Sequence, residues 1–158
     1  MKKILFVCTG NSCRSVMAQE YLRHKVKQAA VEELQVESAG VFAIEGMGPT
    51  RETVRVLQEA GIKCSDHRAR LLTAEMIREA DMIFTMEAHH TEEVMRRDPS
   101  AEDKVFLLKP YNCTSGEAPL LPNISDPISK PMEVYEVCFK QIREAVDRVA
   151  KSLGVASQ

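Results

Sequence analysis

The residues best suited to chemistry lie together near the start of the chain. Cys8 is followed by five residues and then by Arg14 and Ser15, in the string CTGNSCRS. A loop at a helix N-terminus can point its N–H groups inward, and the helix dipole adds positive potential, so this string can cradle a tetrahedral dianion. The guanidinium of Arg14 can bind two oxygens, and the same field favours the thiolate form of Cys8. The spacing therefore predicts a phosphate-binding loop with Cys8 as nucleophile. A hydrogen bond from Ser15 to Cys8 would help the thiolate to depart as a leaving group.

Other interpretations of these residues are weaker. In the simplest one, Cys8 is a buried apolar cysteine and Arg14 is a surface residue. A nucleotide-binding P-loop is excluded because the chain contains no Gly-Lys-Ser/Thr. A zinc site is disfavoured because Cys8, Cys13, Cys64 and His67 include no cysteine pair spaced by two residues. We therefore expect neither a metal nor another cofactor.

A strand and a helix must hold the phosphate-binding loop between them. Apolar runs predict four strands, over residues 3–7, 34–39, 82–86 and 104–108. Periodic apolar positions predict a helix that starts at residue 15 and four more over residues 49–61, 73–79, 92–97 and 134–153. Ser15 and Thr73 are the expected N-caps of two of them, and Pro49 is the expected first residue of another. This alternation predicts an α/β fold, a four-stranded parallel twisted sheet with helices on both faces, in a single domain over residues 1–158. Ligands of such sheets bind at the carboxyl ends of the strands.

Composition restricts the classes of partner. The 158 residues carry 21 Lys and Arg against 23 Asp and Glu, for a formal net charge of -2, which disfavours an electrostatic nucleic-acid binder. No apolar run approaches the ~18 residues that a membrane span needs, so we expect no membrane partner. Five cysteines at irregular spacing, with no export signal at the start, indicate reduced thiols and a cytoplasmic location.

Cleavage of a phosphate ester also needs a proton donor for the leaving group. Two Asp-Pro pairs compete for this role, Asp98-Pro99 and Asp126-Pro127. Asp98 precedes the fourth predicted strand, so it lies at the amino edge of the sheet and is more simply a turn former. Asp126 follows that strand, and its loop returns to the carboxyl edge where Cys8 lies. We therefore predict Asp126 as the general acid.

Beyond these local features, the stretch VCTGNSCRSVMA resembles the low-molecular-weight protein tyrosine phosphatase family. The resemblance continues through Ser38-Ala39-Gly40, residues 46–49, residues 66–70, Asp126-Pro127 and the final helix, which is nearly the whole chain. It implies hydrolysis in two steps through phosphocysteine, with Cys8 as nucleophile, Arg14 as phosphate clamp and Asp126 as general acid.

The resemblance also assigns supporting roles. It implies that a set of loop residues binds the substrate, namely Thr9, Gly10, Asn11, Ser12, Cys13 and Ser15. Asn11, Ser15, Ser38 and His67 would support the loop. Cys13 would form a reversible disulfide with Cys8 or, in the alternative, only pack beneath the loop. Cys64, Cys113 and Cys138 show no chemistry, Cys138 is expected in the core, and His89 and His90 are expected to be exposed.

Two departures from the family pattern bear on the substrate. Tyrosine-directed members usually carry a bulky aliphatic residue at the position of Ser12 and an aromatic wall at the position of Ile128. Losing that wall weakens stacking on a phenol ring, and Ser12 resembles the Thr of the protein arginine phosphatase branch. We therefore expect phosphorylated proteins as substrates, with phosphoarginine favoured over phosphotyrosine, and inorganic phosphate as product and inhibitor.

Two alternatives stay open from the sequence. Thiol-coupled arsenate reductases share the string CTGNSCRS, but they need a cysteine pair shortly after the third strand, where residues 86–91 read MEAHHT. The second alternative is a module that binds phosphoproteins without turnover. Such a module would predict the loss of Cys8, Arg14 or Asp126, and all three are present.

Overall fold

Four parallel strands form the centre of the protein. The computed structural model describes residues 1–114, 116 and 119–155. Its strands β1 (Lys2–Cys8), β2 (Leu34–Gly40), β3 (Met82–Thr85) and β4 (Val105–Leu107) pair in the order β2-β1-β3-β4. All three pairings are parallel, which confirms the predicted sheet. Because the chain turns from β1 to one side and later crosses to β3 on the other, the topological switch point lies at the carboxyl ends of β1 and β3.

Helices cover both faces of this sheet, as predicted. They are α1 (Arg14–Gln28), α2 (Arg51–Glu59), α3 (Ala74–Glu79), α4 (Ala88–Arg97) and α5 (Met132–Ser152), with a 3-10 helix at Pro99–Lys104. Alternate β1 side chains enter two cores: Ile4 and Phe6 pack with α1, α2 and α5, whereas Leu5 and Val7 pack with α3 and α4. Within the described part of the chain, no helix is both long and apolar enough to cross a membrane.

Two helix starts differ from the prediction. Ser15 does not cap α1, because the helix already begins at Arg14 and Cys13 occupies the N-cap position. Pro49 does not open α2, because Thr50 is its N-cap and accepts a hydrogen bond from a backbone N–H of the first turn. The first difference matters for chemistry, since it leaves the Ser15 hydroxyl free to face Cys8.

The start of α4 differs as well, and it changes the environment of a histidine. The sequence predicts this helix from Glu92, whereas it begins at Ala88. A capping box forms there, in which the Glu87 side chain accepts from the His90 N–H and the His90 ring accepts from the Glu87 N–H. The expectation that His90 is exposed is wrong, because this cap turns its ring into the protein and buries it completely. Its neighbour His89 is exposed, as expected.

Candidate active site

Cys8 lies at the carboxyl end of β1, at the switch point of the sheet. Its side chain is 2% exposed, and its Sγ lies 2.9 Å from Oγ of Ser15 on the first turn of α1. A hydroxyl that donates to sulfur stabilises a thiolate more than a thiol, because hydrogen bonds to ionised groups are the stronger ones. The pair therefore suits both a thiolate nucleophile and its later departure as a leaving group.

The loop between Cys8 and α1 turns its carbonyl groups away from itself. The carbonyls of Cys8, Thr9 and Ser12 accept backbone N–H groups from the segment between β2 and α2, at 2.9–3.1 Å. Among the described residues, the N–H groups of residues 10–13 have no acceptor. Residues 11–13 are buried and Gly10 is partly buried. Buried N–H groups without partners are rare in proteins, so this succession at a helix N-terminus indicates a site for an anion.

Asn11 holds this loop in its unusual shape. Its backbone adopts a left-handed conformation with φ of 54°, which Asn tolerates better than most residues. Its side-chain amide donates to Oγ of Ser15 at 2.8 Å and to Oγ of Ser38 at 2.9 Å. Its Oδ1 accepts from the backbone N–H of Arg70 at 3.0 Å. The Asn11 side chain thus ties the loop to α1, to β2 and to the segment before α3.

His67 supports the same loop from outside. Its Nε2 donates to the carbonyl oxygen of Asn11 at 2.9 Å, so Nδ1 is free to accept from Nε2 of Gln19 at 3.4 Å. Gln19 in turn accepts from the Ser38 hydroxyl at 2.7 Å. Burial lowers the pKa of His67, although the bond to Asn11 opposes this shift. The structure therefore brings Ser38 and His67 to the loop, and it adds Gln19, which sequence reasoning missed.

Arg14 is buried at the start of α1 and is held from several sides. Its Nη1 donates to Oε2 of Glu87 at 2.6 Å and to the carbonyl oxygen of Ile124 at 2.7 Å. Its Nη2 lies 3.4 Å from Oγ1 of Thr9 and 3.5 Å from Oδ2 of Asp126. Because Nη1 is occupied by protein acceptors, the guanidinium has a fixed orientation with its other edge toward Asp126 and the loop.

The charges around Arg14 keep it ionised. Burial alone would lower the pKa of Arg14, but Cys8, the hydrogen bond to Glu87 and the charge of Asp126 raise it above its ordinary value. Burial would raise the pKa of Glu87, yet the hydrogen bond and charge of Arg14 outweigh this effect and lower it. The buried cation is thus paired rather than isolated, which is the condition under which such a charge is tolerated.

The two candidate acids lie in different places. Asp126 faces Arg14, and its Oδ1 accepts the N–H of Ile128 at 3.1 Å. Asp98 instead accepts from the N–H of Ser100 at 3.0 Å and caps the 3-10 helix before β4. The structure therefore brings Asp126 to the phosphate loop and leaves Asp98 in the turn that its sequence predicted.

The remaining predicted residues line the loop and its rim. Ser12 is buried, and its Oγ lies 3.7 Å from Sγ of Cys13. Cys13 is also buried and contacts Oγ1 of Thr50 at 3.5 Å and the hydroxyl of Tyr135 at 3.6 Å. Ile128, at the position of the expected substrate wall, is half exposed. Cys138 is buried in the core, as predicted, and burial raises the pKa of its thiol to about 12.

Gly10 lies in the loop and Gly40 packs against it, and only Gly40 must be a glycine. At Gly10 a Cβ would make an ordinary contact, 3.5 Å from Oγ of Ser12. At Gly40, the last residue of β2, a Cβ would lie 2.5 Å from the carbonyl oxygen of Thr9 and 2.8 Å from the nitrogen of Asn11. The absence of a side chain at Gly40 therefore lets the phosphate loop pack directly on β2.

The segment after β3 supplies residues that sequence reasoning missed. Glu87 binds Arg14, and Nε2 of the buried His90 lies 2.8 Å from Oγ1 of Thr9. Donor atoms of Glu87, His89 and His90 lie within 4.8 Å of one another, which is compact enough for a metal ion. Both ring nitrogens of His90 are already in hydrogen bonds, however, so this group fits an orienting role better than a metal site.

Comparisons with known proteins agree with this geometry. The family described as low molecular weight phosphotyrosine protein phosphatase matches residues 3–158. A protein-arginine-phosphatase of Geobacillus stearothermophilus is 38% identical over 152 residues, which covers 96% of this chain and 95% of that protein. A probable low molecular weight protein-tyrosine-phosphatase of Ralstonia nicotianae, EpsP, is 35% identical over 147 residues, which covers 93% of this chain and 92% of that protein.

A solved structure adds evidence on the chemistry of a relative. The YwlE arginine phosphatase, as a cysteine-to-serine mutant with a phosphorylated active-site serine, matches this structure with a TM-score of 0.86 at 30% identity. The match covers 96% of this chain and 95% of that chain. In that relative, the active-site side chain thus carries a phosphoryl group. Because it matches in sequence and in fold, the present chain belongs to the low molecular weight phosphotyrosine protein phosphatase family and is a cysteine-dependent protein phosphatase.

Proposed function

We propose that this protein removes phosphoryl groups from arginine side chains of proteins, through a phosphocysteine on Cys8. The observation that supports this most is the loop itself. It presents four N–H groups that have no acceptor within the described part of the chain, beside a buried guanidinium and a thiol that is hydrogen-bonded to a hydroxyl. Donors fixed in advance around a phosphoryl group stabilise the charge that develops there in the transition state.

The reaction would proceed in two displacements. First, Sγ of Cys8 attacks phosphorus, the phosphorus–nitrogen bond of the substrate breaks, and the guanidine nitrogen leaves with a proton from Asp126. Then Asp126 takes a proton from a water molecule whose oxygen attacks phosphorus, and the sulfur–phosphorus bond breaks. The products are inorganic phosphate and the Cys8 thiolate, which Ser15 and the loop stabilise. Because inorganic phosphate fits the same loop, it would also act as a competitive inhibitor.

The preference for phosphoarginine is inferred from the walls of the site. The buried Ser12 offers a hydroxyl where a bulky aliphatic residue would favour a phenyl ring. The half-exposed Ile128 lacks the aromatic face that would stack on such a ring. A hydroxyl can instead hydrogen-bond a guanidinium nitrogen or orient the attacking water. The sequence identity to the arginine phosphatase of Geobacillus stearothermophilus supports phosphoarginine as the substrate. The tyrosine phosphatase relatives support phosphotyrosine as the competing substrate.

A comparison of matched substrates tests the proposal. We expect kcat/KM to be higher for a phosphoarginine peptide than for the phosphotyrosine peptide of the same sequence, and Cys8→Ser to hydrolyse neither. Ser12→Ile should shift the ratio toward phosphotyrosine by about tenfold or more, because it replaces a polar contact with apolar packing. Ser12→Thr is the matched control and should keep the preference of the unmodified enzyme. A strong phosphotyrosine preference in the unmodified enzyme would overturn the choice of substrate but not the reaction.

The cellular setting follows from the same chemistry. A thiolate nucleophile works only while it is reduced, so we propose that the protein acts in the cytoplasm on phosphorylated proteins. The five cysteines are all free thiols in the structure, which suits that compartment. Activity in a reducing buffer and its loss on oxidation of Cys8 would support this setting, and equal activity after oxidation would contradict it.

A further inference from the structure

A buried histidine contacts the first residue of the phosphate loop. His90 lies on the first turn of α4 and has no exposed surface. Its Nε2 is 2.8 Å from Oγ1 of Thr9, and its Nδ1 is 3.0 Å from the backbone nitrogen of Glu87. The proposed reaction uses neither His90 nor the Thr9 hydroxyl, so the reason for this contact is open.

The second contact fixes where the histidine carries its hydrogen. The backbone N–H of Glu87 can only donate, so Nδ1 of His90 must be an unprotonated acceptor. Burial, and after it the charge of Arg14, lowers the pKa of His90 to about 3, so the ring is neutral at physiological pH. A neutral imidazole carries one N–H, which is then on Nε2. His90 therefore donates to Oγ1 of Thr9 and does not accept from it.

The direction of this bond determines what Thr9 can offer to a ligand. A hydroxyl oxygen has two lone pairs and one hydrogen. Its lone pairs face the N–H of His90 at 2.8 Å and an Nη2 hydrogen of Arg14 at 3.4 Å. Among residues 1–114, 116 and 119–155, the Thr9 hydroxyl hydrogen has no acceptor. That hydrogen is left for a ligand beside Nη2 of Arg14, which is the edge that faces the general acid.

We propose that the Thr9 hydroxyl donates a hydrogen bond to a phosphoryl oxygen of the substrate, an inference that rests on the proposed function. His90 is the positioning residue, because its N–H occupies a lone pair of Thr9 and leaves the Thr9 hydrogen for the substrate. A phosphate dianion offers only acceptors, so the opposite tautomer would turn a Thr9 lone pair toward it and repel it. The protein avoids that arrangement by capping α4 with the Nδ1 of His90. The single backbone N–H of Glu87 thereby sets the polarity of a substrate contact on a different strand-to-helix loop.

Inhibition by inorganic phosphate tests this contact directly. Thr9→Val keeps the shape of the side chain but removes the hydroxyl, and we expect it to raise the inhibition constant for phosphate roughly tenfold. Thr9→Ser keeps the hydroxyl and should stay within about twofold of the unmodified enzyme. His90→Phe removes the donor and should weaken phosphate binding like Thr9→Val, while the double variant should be no worse than either single one. His24→Phe, on the third turn of α1, is the matched control.

A spectroscopic signature separates orientation from simple support of the fold. The ring ¹⁵N shifts of His90 should report the Nε2–H tautomer and should not change between pH 7 and pH 5. Finding Nδ1–H there, or finding equal phosphate inhibition in Thr9→Val and Thr9→Ser, would overturn the inference. If His90→Phe fails to fold, the Thr9 pair and the tautomer still decide the question. If the unmodified enzyme hydrolyses no phosphorylated substrate, the proposed function fails, whereas unchanged phosphate inhibition of an active Thr9→Val enzyme defeats only the role of Thr9.

Discussion

Acid should destabilise the folded protein through His90. Burial, with the charge of Arg14 second, lowers the pKa of this residue to about 3, whereas its ordinary value is 6.5. Because the pKa is lower in the folded state, the unfolded chain takes up the proton first as the pH falls. The stability that comes from a neutral His90 is therefore complete above pH 6.5 and is lost progressively between pH 6.5 and pH 3.

The two pKa values give the size of the effect. Each pH unit between them lowers the free energy of unfolding by about 1.4 kcal/mol. At pH 5, which is ~1.5 units below the unfolded pKa, the loss from His90 is about 2 kcal/mol. The total free energy of unfolding of a domain is typically only ~5–15 kcal/mol, so a change of this size is well within reach of a denaturation experiment.

Urea unfolding at pH 7 and at pH 5 measures the loss. His90→Gln keeps a polar side chain that does not titrate, so the unmodified protein should lose about 2 kcal/mol more than this variant over the interval. Each protein is compared with itself at two pH values, so a difference in stability at pH 7 cancels. Equal losses in His90→Gln and the unmodified protein would refute a neutral, buried His90.

Two other substitutions test the acid and the packing of the loop. Asp126→Asn should lower kcat for a chromogenic aryl phosphate about 10²–10⁴-fold, whereas Asp98→Asn should leave it near the unmodified value; steady-state kinetics that show the reverse would contradict the assignment. Gly40→Ala places a Cβ 2.5 Å from the Thr9 carbonyl oxygen, so the loop must move. We expect it to lower the free energy of unfolding by roughly 1–3 kcal/mol in urea titrations and to weaken phosphate inhibition, and Gly48→Ala, which makes only an ordinary contact, should do neither.

The candidate phosphate-binding loop could be predicted because the residues that form it are neighbours in the sequence. Cys8, Arg14 and Ser15 lie within eight residues at the junction of an apolar run and a periodic segment, so their spacing alone places them at the two ends of one short loop. Asp126 required topology in addition. Because all strands of a parallel sheet run in the same direction, a residue that follows β4 lies at the same edge of the sheet as the end of β1. The same reasoning predicts that Asp98 lies away from the site. In the structure Asp98 caps the 3-10 helix before β4.

The partners of the loop could not be predicted from local pattern. Arg14 and Glu87 are 73 positions apart, and Thr9 and His90 are 81 apart. Two adjacent histidines before a charged helix are typical of an exposed segment, and the apolar periodicity placed the helix start too late. The capping box with Glu87 turns His90 inward, so this local hydrogen bonding, and not the polar sequence pattern, determines the burial of His90. Such a cap needs Glu or Gln at its third position in the usual motif, so His in that place gave no signal.

Sheet topology explains why the missed residues belong beside the predicted ones. The strand order β2-β1-β3-β4 puts the switch point between β1 and β3, so the segments that follow these two strands border the same crevice. The segment after β1 begins at the proposed nucleophile Cys8 and carries the N–H groups that we propose bind the phosphoryl group. The segment after β3 carries Glu87 and His90, which form hydrogen bonds with Arg14 and Thr9. The switch-point rule, applied to both neighbouring strands, therefore selects Glu87 from the sequence, because it is the first charged side chain after β3.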